Sequence, residues 1–473
     1  MRTQIALPSR KPRLTTPWIL TLLLLLAAAP TARAADGEVD TSFTPPRPNG
    51  WVTQIRVLPG GRMLISGTFT ALGATQRHYI ARLMSNGDID PSFDPGAGPN
   101  GPVTGFDLQP DGHILISGSF SSVGGQPRNG YARLTDSGAL DLNYAKAQPF
   151  LGLPQASRGS RIHSLSKGRA LLTGSTYIFT ISPFVQRGGA IILNADGNCD
   201  STFNMTIPNV IGASPVANEA VLVHGSFTTA GAVVRNGLAR VDVSGNLDPS
   251  FEAPIPPANN TVIPAIVAPD GRIVYAQVDP SGTRLHRTTA DGAADGNFTP
   301  PVLTGAVMDC AFQGDGKMVI GGDFDSADGG ATTSPRLARL NANGSFDSSF
   351  KVGDGGSSTV IAVAIQEDGR VLVGGAFQSW NNTSYAGIVR LMAGSGTPPP
   401  PTPHLSNPAY AAGTFSVVVP TQPGSQYTLE VLSSLSSKNW TPASPVVPGD
   451  GTVKTLSHAT ATAPGGFYRV SVQ

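Results

Sequence analysis

The stretch GEVDTSF at Gly37–Phe43 recurs as GDIDPSF at Gly87–Phe93, GNLDPSF at Gly245–Phe251 and GSFDSSF at Gly344–Phe350. Its glycine returns at Gly138, Gly197 and Gly292, with spacings of 50, 51, 59, 48, 47 and 52 residues along the series. Three residues later stands an aspartate: Asp40, Asp90, Asp141, Asp200, Asp248, Asp295 and Asp347. Six residues later stands an aromatic: Phe43, Phe93, Tyr144, Phe203, Phe251, Phe298 and Phe350. Five residues before it stands an arginine at Arg82, Arg133, Arg240, Arg287 and Arg339, replaced by Ile192 in the third unit.

Between these anchors lies a second repeated stretch. LPGGRMLISGTF (Leu58–Phe69), QPDGHILISGSF (Gln109–Phe120), QGDGKMVIGGDF (Gln313–Phe324) and QEDGRVLVGGAF (Gln366–Phe377) read as one β-hairpin. Asp-Gly or Gly-Gly between β-rich apolar runs is a strong hairpin signal. A three-residue loop, a type I turn closed by a glycine, places Val57 opposite Met63 and Ile55 opposite Ile65. It likewise sets Leu108 opposite Ile114 and Phe106 opposite Ile116. Apolar partners then meet on one face, as a buried sheet requires. The same loop at Ser85-Asn86-Gly87 sets Leu83 opposite Ile89 and Arg82 opposite Asp90. The hairpin stretch degrades in the third, fourth and fifth units, and PDGRIVYAQV (Pro269–Val278) keeps only its turn.

Each unit holds about four short strands in roughly 50 residues, the size of a propeller blade. Six units are complete. A seventh begins at Val360, reaches GIVRL (Gly387–Leu391) with Arg390 in the arginine slot, and stops without its last strand. The spare last strand is the opening motif. An open seam would leave unpaired strand edges. The expected fold is all-β: a seven-bladed β-propeller over 37–391, closed by its N-terminal strand, with Gly37–Phe43 beside Gly387–Leu391. A linear solenoid needs no such sharing between its ends.

These motifs resemble the delta-60 repeat family of secreted bacterial proteins, over Gly37 to Leu391, with units three and five departing most. The resemblance implies a β-propeller-like, repeat-built extracellular protein, and it brings no catalytic residues to transfer.

Residues 1–34 read as a secretory signal peptide. Arg2, Arg10, Lys11 and Arg13 precede an apolar run of 12 residues, Trp18–Ala29, and Ala32-Arg33-Ala34 is a cleavage site. The run is short for a membrane span, against the alternative of an uncleaved anchor. The remainder carries 27 basic and 31 acidic residues, a net charge of −4. With no basic patch, nucleic acid is not an expected partner. The protein is expected to be secreted, whether extracellular, cell-surface or periplasmic, and not integral to a membrane after cleavage. Residues 392–403 (MAGSGTPPPPTP) form a Gly/Ser/Pro linker, and 404–473 alternate as a small β-sandwich of immunoglobulin- or fibronectin-like type. Trp440 and Tyr468 there invite a carbohydrate-binding reading, set against the plainer one of a core tryptophan.

Chemistry is sparsely signalled. The Asp/Arg series reads as one ion pair per blade, serving register and folding. Asp88, Asp90 and Asp94 invite a calcium reading, but the motif repeats one aspartate rather than a ligand series, which favours turn capping. Cys199 and Cys310, the two cysteines, fall in apolar slots of units three and six, too far apart for a disulfide. There is no H-E-x-x-H, C-x-x-C, G-x-S-x-G, Walker A or sialidase-type box. No catalytic, metal or cofactor residue is named, no cofactor is implied, and the binding residues and oligomeric state are open. Irregular unit three, with its extra residues between Tyr144 and Ile162 and its YIFTISPF (Tyr177–Phe184), is where function is sought first. The expected role is a non-catalytic binding or scaffold protein for an extracellular protein or polysaccharide. The alternative is a polysaccharide hydrolase or lyase with two or more carboxylates, outside the repeated slots, converging at a channel mouth.

Overall fold

The structure, a computed structural model, describes residues 35–145, 161–181, 185–203, 205, 207–216, 220–256, 262–279, 282–327, 332–333, 335–392, 406–411, 413–421, 426–432, 441–449, 452–459 and 467–472. The protein is all-β. Among the described residues the only helical turns are single 3-10 turns at Pro59–Gly61 and Ser166–Gly168.

Each repeat folds into one antiparallel sheet, numbered one to seven in chain order. Their first strands are Val52–Val57, Val103–Leu108, Arg161–Ser164, Val210–Pro215, Val262–Val267, Val307–Phe312 and Val360–Ile365. Each first strand is an edge, the second lies in the middle, and the third lies beyond it. The register is the one expected: Val57 faces Met63, Ile55 faces Ile65, Leu108 faces Ile114 and Phe106 faces Ile116.

The repeated motif supplies a fourth, one-bridge strand. Leu83 bridges Ile89, Leu134 bridges Leu140, Leu193 bridges Cys199, Val241 bridges Leu247, Thr288 bridges Ala294 and Leu340 bridges Phe346. In sheet seven the partner comes from the other end of the chain, where Val39 bridges Leu391. Asp40 N–H donates to Arg390 O at 2.8 Å, and Met392 N–H donates to Glu38 O at 2.7 Å. The opening motif therefore pairs where its count placed it.

Glycine is required in this motif for two reasons. The seven glycines have φ between +83° and +100°, a region that L side chains rarely adopt. At Gly37 a Cβ would also stand 2.5 Å from Lys351 O. The loop of sheet one differs from the expected type I turn: Gly60 and Gly61 both have positive φ, +76° and +74°. With Gly-Gly rather than Asp-Gly, the backbone is free to take the left-handed conformation twice.

Apolar clusters lie between neighbouring sheets. Leu64 and Ile80 of sheet one pack with Phe106 and Ile116 of sheet two, and the pattern continues through sheets six and seven, where Val319 and Leu337 meet Val360 and Val373. A further cluster joins Val52, Ile55 and Ile65 of sheet one to Ala362, Leu372 and Ile388 of sheet seven. The first strands of consecutive sheets lie side by side, and that of sheet one lies against that of sheet seven.

Sheets one, two, four and six carry a side hairpin between their middle and third strands, such as Ala71–Leu72 with Thr75–Gln76. Sheets three and five replace it by direct hairpins, Ala170–Ile181 with Val185–Leu193 and Ile273–Asp279 with Gly282–Thr288. The buried Gly-x-Phe phenylalanines Phe69, Phe120, Phe227, Phe324 and Phe377 accompany the regular sheets. Unit four, expected to degrade, keeps Phe227 and its side hairpin, because its VLVHGSF still supplies both the anchor ring and Gly225, where a Cβ would stand 2.2 Å from Asn209 O.

At the C-terminal end, Ser406–Ala411, Thr414–Pro420 and Val453–Ala459 form one sheet, and Gln426–Leu432 pairs with Thr441–Pro442, Val447–Pro448 and Phe467–Val472 in another. Val417, Val419 and Leu456 of the first share an apolar cluster with Tyr427, Leu429 and Val470 of the second. Trp440 and residues 393–403 of the linker lie outside the described residues.

Candidate functional site

The repeated aspartates divide their two oxygens between two jobs. In Asp90, Oδ1 accepts from Ser92 N–H at 2.9 Å and from Ser92 Oγ at 2.6 Å, while Oδ2 accepts from Arg82 Nε at 2.7 Å. The same division recurs in Asp40, Asp248 and Asp347 with their serines and arginines. Burial pushes the Asp90 carboxyl up, but the Ser92 bonds and then Arg82 outweigh it and hold it at about 2. Each arginine also lies over the aromatic of its motif, at 4.4 to 5.2 Å from the ring centroid.

The pairs are more than local. Arg82 Nη1 donates to Asp136 O of sheet two at 2.8 Å, Arg240 to Ala290 O of sheet five at 2.7 Å, and Arg287 to Ala342 O of sheet six at 2.6 Å. Arg390 of sheet seven donates to Ser85 O of sheet one at 2.6 Å. Arg339 of sheet six meets Asp36 at 2.8 Å, so the N-terminal segment stands where a turn stands elsewhere. A second base was not read from the sequence. The residue after the hairpin glycine reaches the same aspartate: Arg62 to Asp90 at 3.7 Å, Lys317 to Asp347 at 2.8 Å, Arg370 to Asp40 at 3.0 Å. In unit three, Arg169 in this slot acts on Asp200 in place of the missing arginine, although burial and the Thr202 bonds are the larger influences there. The signal was present in every quoted hairpin as the base after Gly.

Of the calcium candidates, Asp90 is committed to Arg82, Asp88 accepts from Asn86 Nδ2 at 2.7 Å, and Asp94 accepts from Gly96 N–H at 3.0 Å. They cap turns rather than converge. Neither Cys199 nor Cys310 is in a disulfide; they pack against the clusters of sheets three and six, and burial pushes the Cys310 thiol well up. Tyr468 stacks on Phe415 with centroids 4.0 Å apart and engages His458 Nδ1 at 2.9 Å, so one ring face is occupied.

Polar side chains outside the repeat slots collect on the first strands. Register places Gln54, Gly105, Arg161, Gly212, Asp309 and Ala362 at one level and Arg56, Asp107, His163, Ser214, Ala311 and Ala364 two residues on. A bulge precedes the upper level in all but sheet three of these strands, the kind of irregularity that re-aims side chains. Many of these groups satisfy the edge of the next sheet. Gln54 exchanges two bonds with Phe106, at 2.9 and 2.8 Å. Asp107 is paired with Arg56 and accepts from Ser164 N–H at 2.8 Å. Asp309 accepts from Val363 N–H and Cys310 N–H, both at 2.9 Å.

Burial raises the Asp309 carboxyl to about 6, against the opposing charge of Arg161 and the two N–H bonds. Its side chain is half-buried. Burial pushes His163 down, and His224, whose Nδ1 lies 3.1 Å from Val262 O, down to about 4. Arg161 is felt by Asp309, His163 and His224, on sheets six, three and four.

A family model described as a β-propeller domain of unknown function (DUF5122) matches residues 58–93, 109–144, 221–251, 313–350 and 366–398. The chain is a β-propeller repeat protein. The five matches fall on sheets one, two, four, six and seven of the propeller, and the unmatched sheets three and five are those whose middle and third strands are joined by a direct hairpin. No curated protein matches the chain. Among solved structures, the propeller is similar to a protein of unknown function from Bacteroides caccae (15% identity, 61% of this chain and 92% of that one, TM-score 0.33). It is also similar to a gluconolactonase from Xanthomonas campestris (12%, 64% and 95%, TM-score 0.26) and to AztD of Citrobacter koseri (10%, 88% and 100%, TM-score 0.29).

Proposed function

We propose that this protein is an exported, non-catalytic propeller of the delta-60 type that binds an extracellular protein or polysaccharide. Its seven sheets form a closed ring latched by Gly37–Phe43, the first strands line its channel, and the C-terminal immunoglobulin-like module serves attachment or spacing. Supporting the ring are the Val39–Leu391 bridge and the apolar cluster shared by sheets one and seven. Supporting export is the leader-like sequence of residues 1–34.

The observation that carries the binding reading is the state of the carboxylates outside the repeat slots. Glycoside hydrolysis commonly needs two working together. On the first strands, Asp107 is committed to Arg56 and to Ser164 N–H, which leaves Asp309 without a carboxylate partner. The test is a glycan array together with a polysaccharide-degradation screen on the protein lacking residues 1–34. Binding without turnover is expected. Turnover that disappears in Asp309→Asn would overturn the reading and favour the hydrolase or lyase.

A further inference from the structure

We propose that the Ala34–Ala35 bond is a proteolytic processing site, and that the α-ammonium group freed on Ala35 is a working part of the latch, held by the Glu38 carboxylate. The inference rests on the exported, closed-ring reading and names the covalent step that completes the ring.

In the continuous units one tight turn joins the third strand to the repeated motif. In sheet one, Met84 N–H donates to Asp88 O at 2.7 Å and Gly87 N–H donates to Met84 O at 2.9 Å. In sheet seven the same two bonds join the two ends of the propeller. Met392 N–H donates to Glu38 O at 2.7 Å, and Gly37 N–H donates to Met392 O at 2.6 Å. Met392 thus fills the place of Met84, and Ala35 and Asp36 fill those of Ser85 and Asn86. Asp36 is seated in that register: Lys351 N–H donates to its carbonyl at 2.8 Å, as Thr299 N–H does to Asn343 O. Its carboxylate meets Arg339 at 2.8 Å. The repeat provides no place for a residue before Ala35, because Met392 already holds the preceding position. The turn of sheet seven is therefore a nicked turn, and the nick lies at Ala35.

The sequence carries the cut that makes this nick. Ala32 and Ala34 are the small residues that a leader peptidase reads at the third and first positions before its cut, whereas a cut one residue later would put Arg33 in the third position. Hydrolysis breaks the C–N bond between Ala34 and Ala35. Water gives its oxygen to Ala34, which leaves as a carboxylate, and both its protons to Ala35 N, which becomes an ammonium. Ala35 N already donates to Glu38 Oε2 at 2.9 Å. Among the described residues this is the one hydrogen bond or ion pair of the Glu38 carboxylate, and Asp36 is committed to Arg339. An α-ammonium has an ordinary pKa of about 8 and is charged at neutral pH, so the cut turns a neutral hydrogen bond into a charge-assisted one. Glu38 also supplies the carbonyl that accepts from Met392, so a hold on its side chain is a hold on the strand that closes the ring.

The first experiment exports the full chain from a bacterial host and reads intact mass and N-terminal sequence; Ala35-Asp36-Gly37 is the expected start. The second follows amide exchange at Ile388–Leu391 in the processed protein, in the same protein acetylated on its α-amine, and in Glu38→Gln with and without that acetyl group. Acetylation and Glu38→Gln should each speed exchange about two- to fivefold, the range of an exposed ion pair, and the two together should do no more than either alone. Equal exchange in the free and acetylated proteins, or an acetylation effect that persists in Glu38→Gln, would overturn the role of the new terminus. An exported protein that starts elsewhere would overturn the site and leave the binding reading standing. An uncut chain retained inside the cell would overturn the export reading and this site with it.

Discussion

Replacing Asp40 by alanine removes the acid from the one repeat pair whose partners come from opposite ends of the propeller. Arg390 is 350 residues away in sequence, and Asp40 Oδ2 receives its Nε at 2.8 Å. Both side chains are 7% exposed. Removing one partner strands the other charge in the interior, at a cost of about 3–5 kcal/mol. Asp40 also caps Ser42 and receives Arg370, so the substitution frees those groups as well. The matched control is Asp248→Ala. Its pair with Arg240 has the same 2.8 Å geometry but is 30% and 16% exposed and lies within one hairpin, where about 1 kcal/mol is expected. With an unfolding entropy near 2.1 cal/mol/K per residue over roughly 350 residues, these costs lower the melting temperature by about 4–7 °C and about 1–2 °C respectively. Calorimetry measures both. Amide exchange at Ile388–Leu391 reports whether the outer strand of sheet seven opens. An Asp40→Ala shift no larger than that of Asp248→Ala, with those amides as protected as before, would refute the latch.

Gly37→Ala should cost about 1–3 kcal/mol, because φ is +92° and the added Cβ meets Lys351 O at 2.5 Å; chemical denaturation reads it. Asp90 and Asp309 predict opposite pH slopes. With Asp90 at about 2, its contribution is present above pH 4 and is lost as pH falls toward 2. With Asp309 raised to about 6, stability present below pH 3.8 is lost as pH rises through 6. Asp309→Asn should therefore gain about 1–3 kcal/mol over the parent at pH 7.5 relative to pH 4, and parallel denaturation curves at the two pH values would contradict this. In a Cys199→Ala background, Cys310 should react with a thiol reagent at pH 8 several-fold more slowly in the native protein than after unfolding, since burial keeps it protonated; labelling of the native protein as fast as that of the unfolded chain would oppose that.

Much of the architecture was legible because each unit restates it. The glycine at a positive-φ position, the aspartate three residues on and the aromatic six residues on are local requirements of one tight turn, so period and register could be read directly. The pairing of Gly37–Phe43 with Gly387–Leu391 followed from counting, since a missing strand and a spare strand must meet. The Asp series was read as either ion pair or turn cap. Because a carboxylate has two oxygens, the structure assigns one oxygen to each.

What stayed hidden was contact between units. That Arg82 reaches Asp136 O in the next sheet, or that Arg169 serves Asp200 where Ile192 has replaced the usual arginine, depends on distances between residues far apart in the chain. The charged and polar groups on and beside the first strands were equally invisible. Arg161, His163 and Asp309 stand on first strands and His224 on the middle strand of sheet four, in three different units, and they share no motif. Sequence determined the repeat, its register and the strand the two chain ends share, because those are set by turn geometry and alternation within about 50 residues. Tertiary structure alone decided which charges meet across sheets, because that follows from how separate sheet edges pack against one another.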